Sequence, residues 1–171
     1  VMLETGQPMD IFDAEKLATN NKQQTTIVVR RAKKGEKIEA LDDKTYELNP
    51  NILVIADKKN PLSIAGIKGG KASGVSQSTN TIIIESANFD PIRIRAASLA
   101  LRLRTDASIR FEHGLDPNQT APAADRLVAL VQKLAGGTIL SGIVDVYPRK
   151  INAPKILFRG SYGNRLLGTN L

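Results

Sequence analysis

Short runs of β-branched, apolar residues separated by clusters of turn residues dominate the first half of the chain. Residues 25–31 (TTIVVRR) and 52–56 (ILVIA) are bounded by Asp42-Asp43, by Asn49-Pro50-Asn51 and by the polar stretch 57–61. Both predict strands. Residues 62–67, 81–86 and 143–147 predict three more. The pattern then changes to a helical one. Asp90-Pro91 is an N-cap carboxylate followed by proline at the first helical position, where the missing N–H costs nothing. The predicted helix runs to about Leu103, with Ile92, Ala96, Leu99 and Leu103 on one apolar stripe and Ile94 and Leu101 on the opposite side. Arg93, Arg95, Arg102 and Arg104 fill its flanks, either solvated or against phosphate. A second helix starts at Asp116-Pro117 and stops at Gly136-Gly137, burying Ala124, Leu127, Val128, Val131 and Leu134. Strands followed by helices predict an α+β fold: β-sandwich-like mixed sheets covered by helices, in three layers.

One main domain is expected over residues 1–150. Residues 148–154 (PRKINAP) then read as a basic linker, and 156–171 as a strand and short helix, so 151–171 is expected to be linker and the start of a following helical domain, with Lys155 to Leu171 packing poorly. The chain also begins in mid-pattern at VMLETGQP, as a segment excised from something longer would.

Composition narrows the chemistry. Cysteine is absent, which excludes disulfides, thiol nucleophiles and thiolate metal sites. No run is long enough to span a bilayer, and the first twenty residues lack the zones of a signal peptide, so a cytoplasmic protein without membrane partners is expected. The 171 residues carry 24 Lys+Arg against 17 Asp+Glu, a net charge of +7. That balance suits a polyanionic partner, nucleic acid first, although solubility alone produces basic domains too. Aromatic residues are only 4%, too few for a base-stacking platform, so RNA would be held by its phosphates and shape.

Candidate chemistry concentrates in residues 81–117. Glu85 ends a run too apolar to be a solvated strand, and Thr105, Asp106 and Ser108 follow one helix later. Taken alone, Glu85 reads as a strand-end carboxylate paired with an arginine, and Asp106 as a cap or turn residue. His113 has no second histidine for a metal site, and suits an edge position or a contact to RNA backbone. Asp10 and Asp13 lack further ligands. The glycine-rich stretch 66–74 (GIKGGKASG) has the wrong spacing for a phosphate loop, since Ala72 follows Gly70-Lys71 where Ser or Thr is required.

Several motifs in order carry a resemblance: GQPMDIFDAEKL at 6–17, LDDKTYEL, LVIAD, LSIAGIKGGKASGV, IIIESANFDP through FEHGLDP, LAGG and GIVDVYP. Together they resemble the editing, tRNA-binding domain of the bacterial phenylalanyl-tRNA synthetase beta subunit, and KILFRGSYGNRLLG resembles the opening of that subunit's next, helical domain. The resemblance implies hydrolysis of tyrosine wrongly esterified to the phenylalanine tRNA, in a cytoplasmic heterotetramer of two alpha and two beta subunits. It implies no cofactor in this segment, ATP and magnesium serving the whole synthetase. Matched by motif, Glu85 would read the tyrosine hydroxyl, and Thr105 and Ala107 would line the pocket. Gly69 would bring backbone amides against the ester and its attacking water, an approach that glycine permits.

This chain departs from the family pattern at Asp10, where histidine is usual, at Lys68 for methionine, at Arg102 for glycine and at His113 for arginine. Two acids, Asp10 and Glu85, at one site would raise at least one pKa. The departures leave two readings open: an editing hydrolase with a retuned site, or a noncatalytic tRNA-positioning module with a degenerate pocket. A phosphate-binding module is the third.

Overall fold

The structure, a computed structural model, describes residues 1–17, 25–148, 150–151 and 154–170. Chain contacts divide it into two compact units, Val1–Ile139 and Leu140–Leu171.

The first unit has the expected α+β character, with antiparallel pairings among the described strands. A short helix α1 (Met2–Thr5) precedes β1 (Met9–Asp13). Strands β2 (Val28–Arg31), β5 (Leu53–Ala56), β6 (Pro61–Ile64) and β7 (Lys68–Gly69) form a four-stranded sheet in the order β2-β5-β6-β7. Between β2 and β5, β3 (Lys37–Glu39) and β4 (Thr45–Glu47) make a hairpin. Backbone bonds fasten it to the end of β7, from the Leu41 N–H to the Gly69 carbonyl (3.0 Å) and from the Lys71 N–H to the Glu39 carbonyl (2.9 Å). β8 (Ile82–Ser86) pairs not with its neighbours in sequence but with β1.

The core is built from Phe12, Ile38, Leu48, Ile52, Val54, Ile55, Leu62, Ile64, Ile67, Phe89, Ile94 and Phe111, among others. Each large side chain so buried contributes about 1.5–3 kcal/mol. Gly70 sits where this packing is tightest: a Cβ there would lie 2.4 Å from the Leu62 carbonyl oxygen, a backbone atom that cannot turn aside. Gly70→Ala should therefore cost about 1–3 kcal/mol, read as a lower urea midpoint with an unchanged slope. A midpoint equal to that of the parent chain would mean the β6–β7 contact is looser than this.

Helix α2 (Pro91–Leu101) starts as its sequence predicts, with the Asp90 side chain accepting from the N–H groups of Ile92 (2.9 Å) and Arg93 (3.2 Å). Apolar residues on two sides of the helix suggest cover on both, but only one side is covered. Ile94, Ala97 and Ser98 are buried, whereas Ile92 and Leu99 are 79% and 69% exposed. Apolar residues lie on both sides of this helix, so periodicity alone could not choose; the space beside Gly66, Phe89 and Phe111 admits Ile94.

A short helix α3 (Asp106–Glu112) follows, where the sequence suggested a turn or a helix cap. Its cap is Thr105 rather than Asp106, in a full capping box with Ser108, and its Phe111 meets Phe89 edge to face at 5.1 Å. Asp116 caps a 3-10 turn (Pro117–Gln119) that leads into α4 (Thr120–Ala135), which ends at Gly136 as expected. Only Ala123 of α4 is fully buried, and Leu134 is exposed, so the helix uses less of its apolar face than predicted. It lies against β8, with the Ser86 hydroxyl donating to the Thr120 carbonyl (2.7 Å).

In the second unit the expected strand over 143–147 does not form. Its Ile143 and Val144 are exposed, for alternation specifies a strand only where an edge exists to pair with it. The strand expected to open 156–171 is absent as well, and Phe158 is exposed; the helix is present as α5 (Gly160–Leu167). Of the predicted linker, Arg149, Asn152 and Ala153 lie outside the described residues.

Candidate functional site

The β1–β8 register sets Asp10 directly across from Glu85 and Phe12 across from Ile83. Strand alternation puts all four on one face, the face whose Phe12 and Ile83 belong to the core. Directly opposed side chains on antiparallel strands have Cβ atoms about 4.5–5.5 Å apart, and like charges there repel. Neither carboxyl group has an ion-pair partner among the described residues, so the arginine that a strand-end glutamate would ordinarily find is missing.

The consequence is a proton held at neutral pH. Burial, and secondarily the charge of Asp10, push the Glu85 carboxyl up to about 8. Burial also raises Asp10 above the ordinary aspartate range, but the Ile11 N–H bonded to its Oδ1 at 2.9 Å works the other way. The pair thus divides into a neutral acid, Glu85, able to donate or accept, and a second acid better placed to carry the charge.

Gly69 forms the third side of this site. A Cβ built on it would lie 3.3 Å from both carboxylate oxygens of Asp10 and 2.9 Å from Leu41 Cδ1, so the bare backbone of β7 lies against the Asp10 carboxylate. The structure thus brings Asp10, Glu85 and Gly69 together.

Thr105 stands differently. Its hydroxyl donates to the Ile67 carbonyl at 2.8 Å and accepts from the Ser108 N–H at 3.1 Å, so it ties α3 to the segment two residues before Gly69. Among the described residues no hydrogen bond joins it to Asp10 or Glu85. Ala107, in the first turn of α3, is partly buried against the core. Lys68 turns to Asp42 (3.8 Å), whose carboxylate also accepts from the Tyr46 hydroxyl (2.8 Å), so its charge is matched there. The Asp42 carboxyl accordingly sits below its ordinary range, the Tyr46 bond being the leading cause. His113 is exposed at the end of α3, its Nδ1 2.7 Å from the Ile109 carbonyl. No group of three or more His, Asp or Glu side chains able to hold a metal occurs among the described residues.

One residue of the site escaped the sequence reading. Gln7 is 1% exposed, and its Nε2 donates to the carbonyls of Pro8 (3.0 Å) and Ala87 (2.7 Å), which pins the start of β1 to the end of β8. Its Oε1 is buried without a partner. The only signal was its place in the GQP motif.

Two comparisons bear on what this arrangement is. Residues 1–136 match the B3/4 domain. The chain belongs to the B3/4 domain family. Over its full length it is also similar to curated phenylalanine–tRNA ligase beta subunits: 44% identical over 171 residues to that of Thermotoga maritima, 44% to that of Symbiobacterium thermophilum and 46% to that of Protochlamydia amoebophila. All of this chain is covered in each alignment, but only 21%, 19% and 21% of the respective relatives, so the chain spans about a fifth of their length. The resemblance carried by its motifs agrees with both comparisons. This B3/4 domain has no helix, among the described residues, long and apolar enough to cross a membrane.

Proposed function

We propose that this B3/4 domain is the editing segment of a phenylalanyl-tRNA synthetase beta subunit and hydrolyses tyrosine mischarged on the phenylalanine tRNA. A synthetic pocket that accepts phenylalanine rejects an analogue with one added hydroxyl by only about a hundredfold, so a second site has to supply the rest. A site that hydrogen-bonds the hydroxyl discriminates in the opposite sense, by up to about 10⁴-fold, because phenylalanine leaves its buried polar group unpaired.

The observation that carries this reading is the half-buried Glu85, without an ion-pair partner among the described residues, opposite Asp10 and with the Gly69 backbone alongside. In its neutral form Glu85 offers both a donor and an acceptor to the para-hydroxyl group. The Gly69 backbone would face the ester carbonyl, and the Asp10 carboxylate would orient the attacking water. The tyrosyl ester is reactive enough that no side-chain nucleophile is required. Thr105 and Ala107 would shape the wall that α3 contributes. The partners are the phenylalanine tRNA and an alpha subunit, two of each subunit in a cytoplasmic enzyme, with ATP and magnesium used at a synthetic site elsewhere.

A noncatalytic tRNA-positioning role is favoured by one observation, the commitment of the Thr105 hydroxyl proton to the Ile67 carbonyl, which leaves it no donor for a substrate. Incubating the assembled synthetase with pre-charged tyrosyl-tRNA separates the two. Release of tyrosine well above the buffer rate supports the hydrolase, and a rate equal to that in buffer supports the positioning module.

A further inference from the structure

A surface groove lies apart from Asp10 and Glu85. It lies beside α2 and α3, encloses about 300 Å³ and is lined chiefly by Arg95, Arg102, Arg104, Ser98, Leu103 and Glu112. Its charge is one-sided. Arg104 is paired with Glu112 at 3.0 Å, whereas Arg95 and Arg102 have no carboxylate partner among the described residues. The Ser98 hydroxyl donates to the Leu103 carbonyl (2.7 Å).

Arg102 supplies a second, independent observation. It terminates α2 in the left-handed conformation, φ 51° and ψ 37°, its N–H capping the carbonyls of Leu99 and Ser98. That conformation is strained for any residue with a Cβ and free of strain for glycine. The arginine kept there is exposed and has no ion-pair partner among the described residues that would offset the strain. Strain retained at a surface groove points to a demand for the side chain itself.

We propose that this groove binds the sugar-phosphate backbone of RNA, with Arg95 and Arg102 as its phosphate contacts. Guanidinium forks match phosphate oxygens two at a time. The two arginines are seven residues apart, roughly 10 Å along the helix axis, which suits separate phosphates along a strand better than one free anion. The scarcity of aromatic residues and the net charge of +7 fit binding through phosphates without base stacking. The choice of RNA as the polyanion rests on the tRNA reading above; the groove itself does not depend on Glu85.

The test is a titration of the full 171-residue chain with a fluorescein-labelled RNA hairpin at several salt concentrations. The double variant Arg95→Ala/Arg102→Gly should bind at least tenfold more weakly and lose roughly two units of log–log salt slope. Lys33→Ala/Lys34→Ala, which removes the same charge from the exposed β2–β3 turn, should change affinity by less than about threefold. Arg102→Gly alone should weaken binding while raising the thermal midpoint by a few degrees, because it relieves the backbone. Equal losses in the two double variants, a lowered midpoint in Arg102→Gly, or displacement of the hairpin by inorganic phosphate at equal phosphate concentration would each overturn the proposal. A chain that binds the hairpin through the groove, in an enzyme that spares tyrosyl esters, would keep this inference and remove the editing one.

Discussion

Replacing Glu85 with alanine in the assembled synthetase should slow the removal of tyrosine from the phenylalanine tRNA by roughly five- to a hundredfold, with clearance of the phenylalanyl ester little changed. The range comes from the cost of leaving one buried polar group unsatisfied, about 1–3 kcal/mol, which here falls on the tyrosine hydroxyl of the bound substrate. Stability should move little or upward. The substitution removes a half-buried carboxyl that has no hydrogen-bond or ion-pair partner among the described residues, and losing that desolvated polar group offsets the small void it leaves. Hydrolysis rates and melting curves for the same preparation separate the accounts. A variant that melts early yet clears tyrosine at the parent rate would make Glu85 a structural residue and nothing more.

The second large effect is on the pH dependence of stability. The folded chain holds the Glu85 proton up to about 8, whereas the unfolded chain releases it near the ordinary value of 4.5. Between those limits the native state binds more protons than the unfolded state, so stability falls as pH rises. The contribution is fully present below the unfolded pKa and is lost as pH passes through the folded one. Glu85→Gln keeps the size and polarity of the neutral acid and cannot ionise. It should therefore gain on the parent chain by a few kcal/mol between about pH 5 and pH 8.5, when urea unfolding is compared at the two ends. In Asp10→Asn the same fall should shift to lower pH by less than the whole window, since burial, not the Asp10 charge, is the first cause of the shift. Parallel curves for the parent and Glu85→Gln would mean that Glu85 ionises normally.

What the sequence made legible was local. The Asp90 and Asp116 caps, the Gly136 stop and the apolar run ending in Glu85 are decided within a few residues, and each stands where the pattern put it. The face of α2 was illegible because its apolar residues surround it, and the choice fell to Phe89 and Phe111, distant partners for Ile94. Helix α3 was hidden for another reason: Thr105 and Ser108 reciprocally cap it, and hydroxyl residues with that spacing read equally well as a turn. The candidate site lay between these extremes. Motif resemblance put Asp10 and Glu85 at one site and Gly69 against the ester, without the geometry that joins them. Their mutual placement depends on β1 pairing with a strand some seventy residues away, a register that periodicity cannot supply. Thr105 was legible as a residue of interest, but its bond to the Ile67 carbonyl was not, since that contact exists only once α3 has docked.

The most direct measurement is the ratio of first-order deacylation rates for tyrosyl and phenylalanyl esters of the same tRNA, taken with the assembled parent enzyme at neutral pH. A pocket in which neutral Glu85 receives the para-hydroxyl group predicts that the tyrosyl ester is cleared at least a hundredfold faster. Equal rates for the two esters, or no clearance of either above buffer, would contradict the account.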